Sequence, residues 1–473
     1  MNAAPYAQHT FTVVEGEGPA HRPLDFPPPE VRRGVKVNAL VVHPGTGQRD
    51  ILPGVIHREN YINESRSRSA AAENSRTNDS STGRTSGSSS NKNNNPSAGS
   101  ASTTSAAQSR RKQSGVSSSK DKSADSSTSF KSKRKEYTAY FPQRRLQDAI
   151  YGSVWACLVL KRHSGPASDD AARAAGLEPG DPAAPIVWEI AGRHVAIKMV
   201  EWSRVHQARG RLLEDPVKEI AAMQLIGTEH PNVLGSEEVL QDDDFLYSVM
   251  PYANGGDLFG YVVRDAELRG GEGGMSEPVA RYWFRQILEG LNFLQSKGIC
   301  HRDLSLENIL VDDDMSLVID FGMCLRVPYS GETDRSAVTD VRHGGIRRLI
   351  KPMGTCGKHN YMSPEIYQNT SNFDGFAVDL WAAGVILYIM LTGFPPYDHA
   401  TRSDQRFEII VEGMLVRQLS EWDIELSSDA GKLLQGMLVE NPRDRLTLAQ
   451  VMNSSWVTDP DVAPPPPPDA FYG

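Results

Sequence analysis

His301-Arg302-Asp303-Leu304-Ser305-Leu306-Glu307-Asn308 sets a carboxylate, Asp303, five residues ahead of a carboxamide, Asn308. The aspartate can accept a proton from a hydroxyl, and the asparagine oxygen is a hard donor of the kind that Mg2+ takes. Working outward, Asp320-Phe321-Gly322 adds a second hard carboxylate downstream, and Val195-Ala196-Ile197-Lys198 ends an apolar run on a cation upstream.

The 473 residues allow two or three domains, or one large two-lobed domain with tails. A net charge of -9 argues against binding nucleic acid by bulk electrostatics. The four cysteines, Cys157, Cys300, Cys324 and Cys356, have no paired spacing, which fits a reducing compartment and neither a disulfide framework nor a zinc site. The start of the chain lacks a basic segment followed by an apolar core. The apolar stretch from Leu380 to Phe394 contains Gly384 and Gly393 and is short for a bilayer. The expectation is a cytoplasmic or nuclear protein, monomeric, with no membrane contact and no direct nucleic-acid binding.

Residues 1–136 read as a disordered region, Pro-rich around Pro27–Pro29 and then Ser/Asn-rich from Asn63 to Ser132. Such a composition buries too little apolar surface to offset an ordering cost of roughly 1–2 kcal/mol per residue. Val35–Val42 has strand character with no neighbour to complete a core. The run Lys131-Ser132-Lys133-Arg134-Lys135 is either an import signal, a tether or a charged linker. Order is expected over 137–457, with strands around a turn at Gly152 and over Val187–Val200. His163–Pro185 reads as a surface insertion. A helix is expected from Pro216, then mostly helix beyond Gly255, including Val279–Gln295 and Val378–Leu391. Residues 458–473 form a Pro-rich tail, expected to be extended and exposed.

Six motifs in order, Val195-Ala-Ile-Lys198, His301-Arg-Asp303, Asp320-Phe-Gly322, Ser363-Pro-Glu365, Asp379-Leu-Trp381 and Pro442-x-x-Arg445, resemble the eukaryotic protein-kinase domain. The resemblance implies an α+β fold with a small antiparallel β lobe carrying one main helix (137–250) and a larger, mostly helical lobe (254–457). It implies ATP and Mg2+ as cofactors and Ser/Thr-bearing proteins as substrates. Asp303 becomes the catalytic base, Lys198 the phosphate-binding cation, and Asn308 and Asp320 the metal ligands. Glu219 is either a solvated helix charge or the partner of Lys198. The nucleotide site is drawn from Gly152, Val154, Ala196, Lys198, Met250, Pro251, Ala253 and Leu310. Arg302, Glu365, Asp379 and Arg445 take architectural roles. Asp257 and Glu307 either read a basic residue upstream of the acceptor or are generic surface carboxylates. Leu391-Thr-Gly-Phe-Pro-Pro-Tyr-Asp398 resembles the calcium/calmodulin-dependent and AMP-activated kinase group.

Three departures matter. Only Gly152 of the three phosphate-loop glycines is present, the others being Gln147 and Ala149. Ser305 stands where that resemblance expects a lysine, while Lys358 stands where it expects a threonine, so ammonium and hydroxyl look exchanged. A unit charge about 4 Å away at an effective dielectric near 20 is worth roughly 4 kcal/mol, enough to matter to a transition state. Lys358 is therefore a candidate catalytic residue, against the alternative of an unrelated surface lysine. Finally, the segment from Asp320 to Glu365 is basic in its middle and carries Gly354 at the usual phosphosite position, leaving Thr355, Thr339, Ser336 and Thr333 as candidates. The competing reading of the whole is a pseudokinase, a nucleotide-binding or scaffolding module on the same fold.

Overall fold

The computed structural model describes residues 25–59, 137–181, 183–208, 212–270, 273–327, 329–330, 346–347 and 349–464. The Ser/Asn-rich tract, the Lys131–Lys135 run and Thr333, Ser336 and Thr339 lie outside the described residues.

Arg32–Val42 (β1) and Arg49–Arg58 (β2) pair as an antiparallel hairpin, from Gly34 opposite Arg58 to Val42 opposite Arg49, with an irregularity between Val37 and Ala39. This corrects the expectation of disorder through residue 136. Every partner that completes the core under this hairpin is distant in sequence. Ile56 and His57 pair with Tyr140 and Ala139 in Thr138–Ala149 (β3), which turns tightly into Gly152–Arg162 (β4). Val41 and Val42 run parallel to Trp188 and Glu189 in Trp188–Glu201 (β5), and Arg32 and Arg33 run parallel to Leu240 and Gln241 in Glu238–Gln241 (β6). With Phe245–Pro251 (β7) the strand order is β1-β2-β3-β4-β5-β7-β6, closed into a barrel. Its interior holds Ile56, Tyr140, Val159, Val195, Ile197, Leu240 and Val249.

The insertion between β4 and β5 is not bare loop. Its helix Pro166–Ala174 (α1) buries Ala167 beside Val42 and Val187, and Asp170 meets Arg49 at 2.9 Å, so the insertion packs on the N-terminal hairpin. Trp202–Ala208 (α2) follows β5, and Pro216–Ile226 (α3) lies against the sheet. The α3 start is set by Pro216 in the first turn and by Asp215, whose carboxylate accepts from Val217 N (2.9 Å) and Lys218 N (3.2 Å).

The second lobe begins with Leu258–Leu268 (α4) and Glu277–Ser296 (α5). Short strands Ile299–Cys300 (β8), Ile309–Asp312 (β9), Met315–Val318 (β10) and Leu325–Arg326 (β11) carry the segments between lobes. Pro364–Gln368 (α6) and Gly375–Thr392 (α7) come next. Every residue of α7 is buried, which makes this long apolar helix the centre of the lobe. Its Trp381 and Tyr388 share one continuous core with Trp283, Phe284, Phe407 and Trp456. The start of the tail is tied down while Pro460, Asp461 and Pro464 stay exposed: Arg285 donates to the carbonyls of Val457 and Asp459 at 2.6 Å each, and Ala463 N reaches Pro278 O at 3.2 Å, laying 457–463 along α5.

Glu365 and Arg445 form a buried two-pronged pair, 2.9 and 3.2 Å, under the end of the segment leading to α6. Arg445 also donates to Ala377 O at 2.6 Å and lies over the Trp381 ring. Glu365→Ala would strand the guanidinium in the core, and an unfolding free energy lower by about 3–5 kcal/mol is expected, read from the urea midpoint.

Candidate functional site

Strand register brings the first groups together. Lys198 on β5 lies between Val154 on β4 and Ser248 on β7. Its Nζ is 2.6 Å from both oxygens of Glu219 in the first turn of α3. Both side chains are almost out of water. Burial disfavours the ammonium, but the carboxylates of Glu219 and Asp320 outweigh that and raise its pKa.

The loop 301–308 is held by one buried carboxylate. Asp379 on α7 accepts His301 N at 2.7 Å and Arg302 N at 2.8 Å. This fixes Arg302 in the left-handed region (φ 67), a conformation that a residue with a Cβ otherwise seldom adopts. Burial pushes the Asp379 carboxyl up to about 6, against the pull of His301 and the two N–H donors. His301 Nε2 is 2.8 Å from Ile319 O, and its ring lies beside Phe321, so the loop is also tied to the Asp320-Phe-Gly322 turn.

Asn308 turns its carboxamide nitrogen to Asp303, donating to the backbone oxygen (2.7 Å) and to Oδ2 (3.3 Å). Asp303 Oδ1 is buried and has no hydrogen-bond partner. Burial raises the Asp303 pKa, as does Asp320, while His301 and Lys358 lower it. Asp320 itself is exposed, with φ 66. Gly357 (φ 89) passes so close that a Cβ there would stand 3.3 Å from Asp303 Oδ1.

Lys358 Nζ donates to the fully buried Ser305 at 2.9 Å from Oγ and lies 3.0 Å from Glu307 Oε2. The two residues that depart from the resemblance at 305 and 358 are thus in contact, and the ammonium's field reaches Asp303. Glu307 is thereby paired. Asp257 caps α4, accepting Gly260 N at 2.7 Å.

On the nucleotide side, Gly152 has no room for a side chain, since a Cβ would fall 1.8 Å from Met199 O. Gln147 and Ala149 stand opposite Val154 and Gly152 with no positive φ, Gln147 next to an irregularity that follows Arg145. Neither position therefore calls for glycine through a positive φ. Met250 sits opposite Ala196, and Pro251, the last residue of β7, opposite Val195. Leu310 is half-buried on β9, and Ala253 lies between β7 and α4. Arg302 has Nε and Nη2 buried without partners. Glu365 and Arg445 lie away from this cleft, in the helical core.

Sequence reasoning missed Tyr151 and Glu214. The Tyr151 hydroxyl donates to Glu214 O at 2.9 Å, pinning the β3–β4 turn to the loop before α3. The Glu214 side chain crosses beside Gly322, with Cγ 2.8 Å from where a Cβ would stand. Burial raises its pKa, Lys198 opposes this, and the carboxylates of Glu219, Asp320 and Asp303 add to it. An acidic residue one step ahead of a helix cap carries no periodic signal that could have flagged it.

The protein kinase domain model matches residues 186–457, beginning after the β3–β4 hairpin where the glycine pattern is depleted. Among curated proteins, the chain is 32% identical over 276 residues to "CBL-interacting protein kinase 16" of Oryza sativa subsp. japonica, covering 58% of this chain and 53% of that one. It is 33% identical over 267 residues to "CBL-interacting serine/threonine-protein kinase 15" of Arabidopsis thaliana, covering 56% and 55%. The chain spans about half the length of the curated relatives it matches.

Asp379→Asn replaces one of two acceptors by a donor facing a backbone N–H. A loss of about 2–3 kcal/mol in thermal or urea unfolding is expected, with faster hydrogen exchange at the His301 and Arg302 amides.

Proposed function

The chain belongs to the protein kinase domain family, and on that premise we propose that it transfers the γ-phosphoryl group of ATP, with Mg2+, to serine or threonine hydroxyls of protein substrates. The observation that carries this reading is one cleft in which the buried Lys198–Glu219 pair faces Asp303, Asn308 and Asp320.

The donor set suits the cofactors. Asp320 is exposed, and Asn308 keeps its oxygen while its nitrogen is engaged, which is hard-oxygen chemistry fitting Mg2+. Bound Mg-ATP supplies the phosphoryl group and the charge that neutralises its oxygens. Lys198, held by Glu219, would orient the α- and β-phosphates. Val154 and Ala196 would cover the adenine from one side and Leu310 from the other, with Met250, Pro251 and Ala253 along its edge. Asp303 offers Oδ1, a buried acceptor with no donor, to the substrate hydroxyl. It would orient that oxygen and take its proton as the bond to phosphorus forms.

Lys358 supplies the cation that Ser305 cannot. Its ammonium would favour the ionised form of Asp303 and neutralise charge growing on the transferred group. Because Glu307 is paired with Lys358 and Asp257 caps α4, no strong preference for an upstream basic residue is proposed.

A radiolabelled ATP assay on a Ser/Thr peptide library tests the reading, with Asp303→Asn as control. Wild-type transfer far above that control is expected. Nucleotide binding without such transfer would assign the chain to the scaffolding class. Lys358→Ala should lower kcat by about 10- to 100-fold. It should also move the acid limb of the kcat/KM profile to higher pH, because removing a cation raises the pKa of the carboxylate that must be ionised. The exchanged double variant Ser305→Lys with Lys358→Thr should recover much of the rate. Full kcat in Lys358→Ala would refute the role given to this lysine.

A further inference from the structure

Ahead of β1 the described chain starts at Asp25 and runs through Phe26, Pro27, Pro28, Pro29 and Glu30. This strap runs beside Ala221, Gln224 and Leu225 of α3, and its Asp25 carbonyl accepts from Arg326 Nη1 at 3.5 Å. Gln224 on α3 grips it at one point: Glu30 N donates to Gln224 Oε1 at 2.7 Å, and Gln224 Nε2 donates to Glu30 O at 2.7 Å. A side-chain amide here reproduces the two-way pairing of a strand neighbour, and both bonds are short and reciprocal. Phe26 packs on the main core. The three prolines restrict the backbone between these anchors, so the strap has little slack to lose.

The far end of the strap is equally fixed. Two residues beyond Glu30 the chain becomes β1, whose Arg32 and Arg33 pair with Leu240 and Gln241. At the same end of the hairpin, Arg58 on its second strand pairs with Glu238, which also accepts the Tyr140 hydroxyl at 2.8 Å. Between strap, α3 and β6 remains a cavity of about 430 Å³, lined by Pro27, Pro28, Arg32, Ala221, Gln224 and Glu238 among others. Beside this space, Gln224 supplies the hydrogen bonds between strap and α3.

We propose that Gln224 is a positioning residue for the Lys198–Glu219 pair: by clasping the backbone of Glu30 it holds α3 so that Glu219 reaches Lys198. Gln224 follows Glu219 by five residues, about 1.4 helical turns, so the rigid helix transmits a displacement at one to the other. The inference rests on the kinase reading for its rate readout, but the placement of α3 is measurable without catalysis.

The test uses the full chain. Gln224→Leu keeps size and helix preference while removing both polar groups, and Glu30→Pro removes the N–H partner from the other side. Each should lower kcat by about tenfold, the scale of two neutral hydrogen bonds, with KM for the peptide unchanged. Each should speed amide exchange in 216–226 and leave 375–392 unaffected. The double variant should be no slower than either single one, because both delete the same contact. Unchanged exchange in 216–226 for both variants would overturn the proposal whether or not the wild type transfers phosphate. A wild type without transfer, yet with faster α3 exchange in the variants, would sink only the kinase reading. A loss of kcat accompanied by equally faster exchange throughout the chain would mean general destabilisation and would also overturn it.

Discussion

An ammonium taken almost wholly out of water must have a partner, and Lys198 has one only while α3 stays against the sheet. The pair with Glu219 joins a strand to a helix that follows it through a loop, and separation would leave two buried charges unmatched, which typically costs several kcal/mol. Much of the smaller lobe can be understood as keeping that distance. Asp215 caps the helix where the pair begins, Tyr151 fastens the preceding loop, and the barrel fixes β5 on both sides.

A second constraint is backbone strain. Arg302 and Asp320 both adopt left-handed backbone angles, and each stands beside a group the chemistry would use. Asp379 holds the first through two N–H bonds, and the His301–Ile319 contact couples the two turns. Strained conformations persist only where surroundings over-determine them, and here a fully buried helix does so.

The larger lobe and the cleft were legible because their signals are local: fixed spacings such as 301 to 308, an apolar run at 375–392, and a proline that starts α3. The exchange of Ser305 with Lys358 was legible because two departures from one pattern matched each other in charge. Their contact at 2.9 Å is a matter of geometry, and the catalytic role assigned to it is a matter for rates. The hairpin at 32–58 was not legible. Val35–Val42 looks like a strand, but the strands that flank its hairpin lie 82 to 208 residues further on, and no pattern within the segment names them. Glu214 and Gln224 were missed for a similar reason: each acts through a contact with backbone or a glycine, which leaves no mark in its own surroundings. In the glycine loop, Gly152 meets a crossing backbone, whereas Ala149 pairs with Gly152 and Gln147 borders an irregularity after Arg145.

Closing the barrel has an outcome beyond the cleft. A sheet whose first and last strands stand apart presents rows of unpaired N–H and C=O groups, the template on which a foreign strand can add. Here β1 meets β5 and β6 while β2 meets β3, so the two ends of the strand order are joined to each other. Strand addition by another chain is thereby discouraged at this lobe, and so is edge-to-edge self-association. A partner of the small lobe must recognise side chains rather than complete a sheet, which makes its specificity a matter of surface chemistry rather than of backbone pairing.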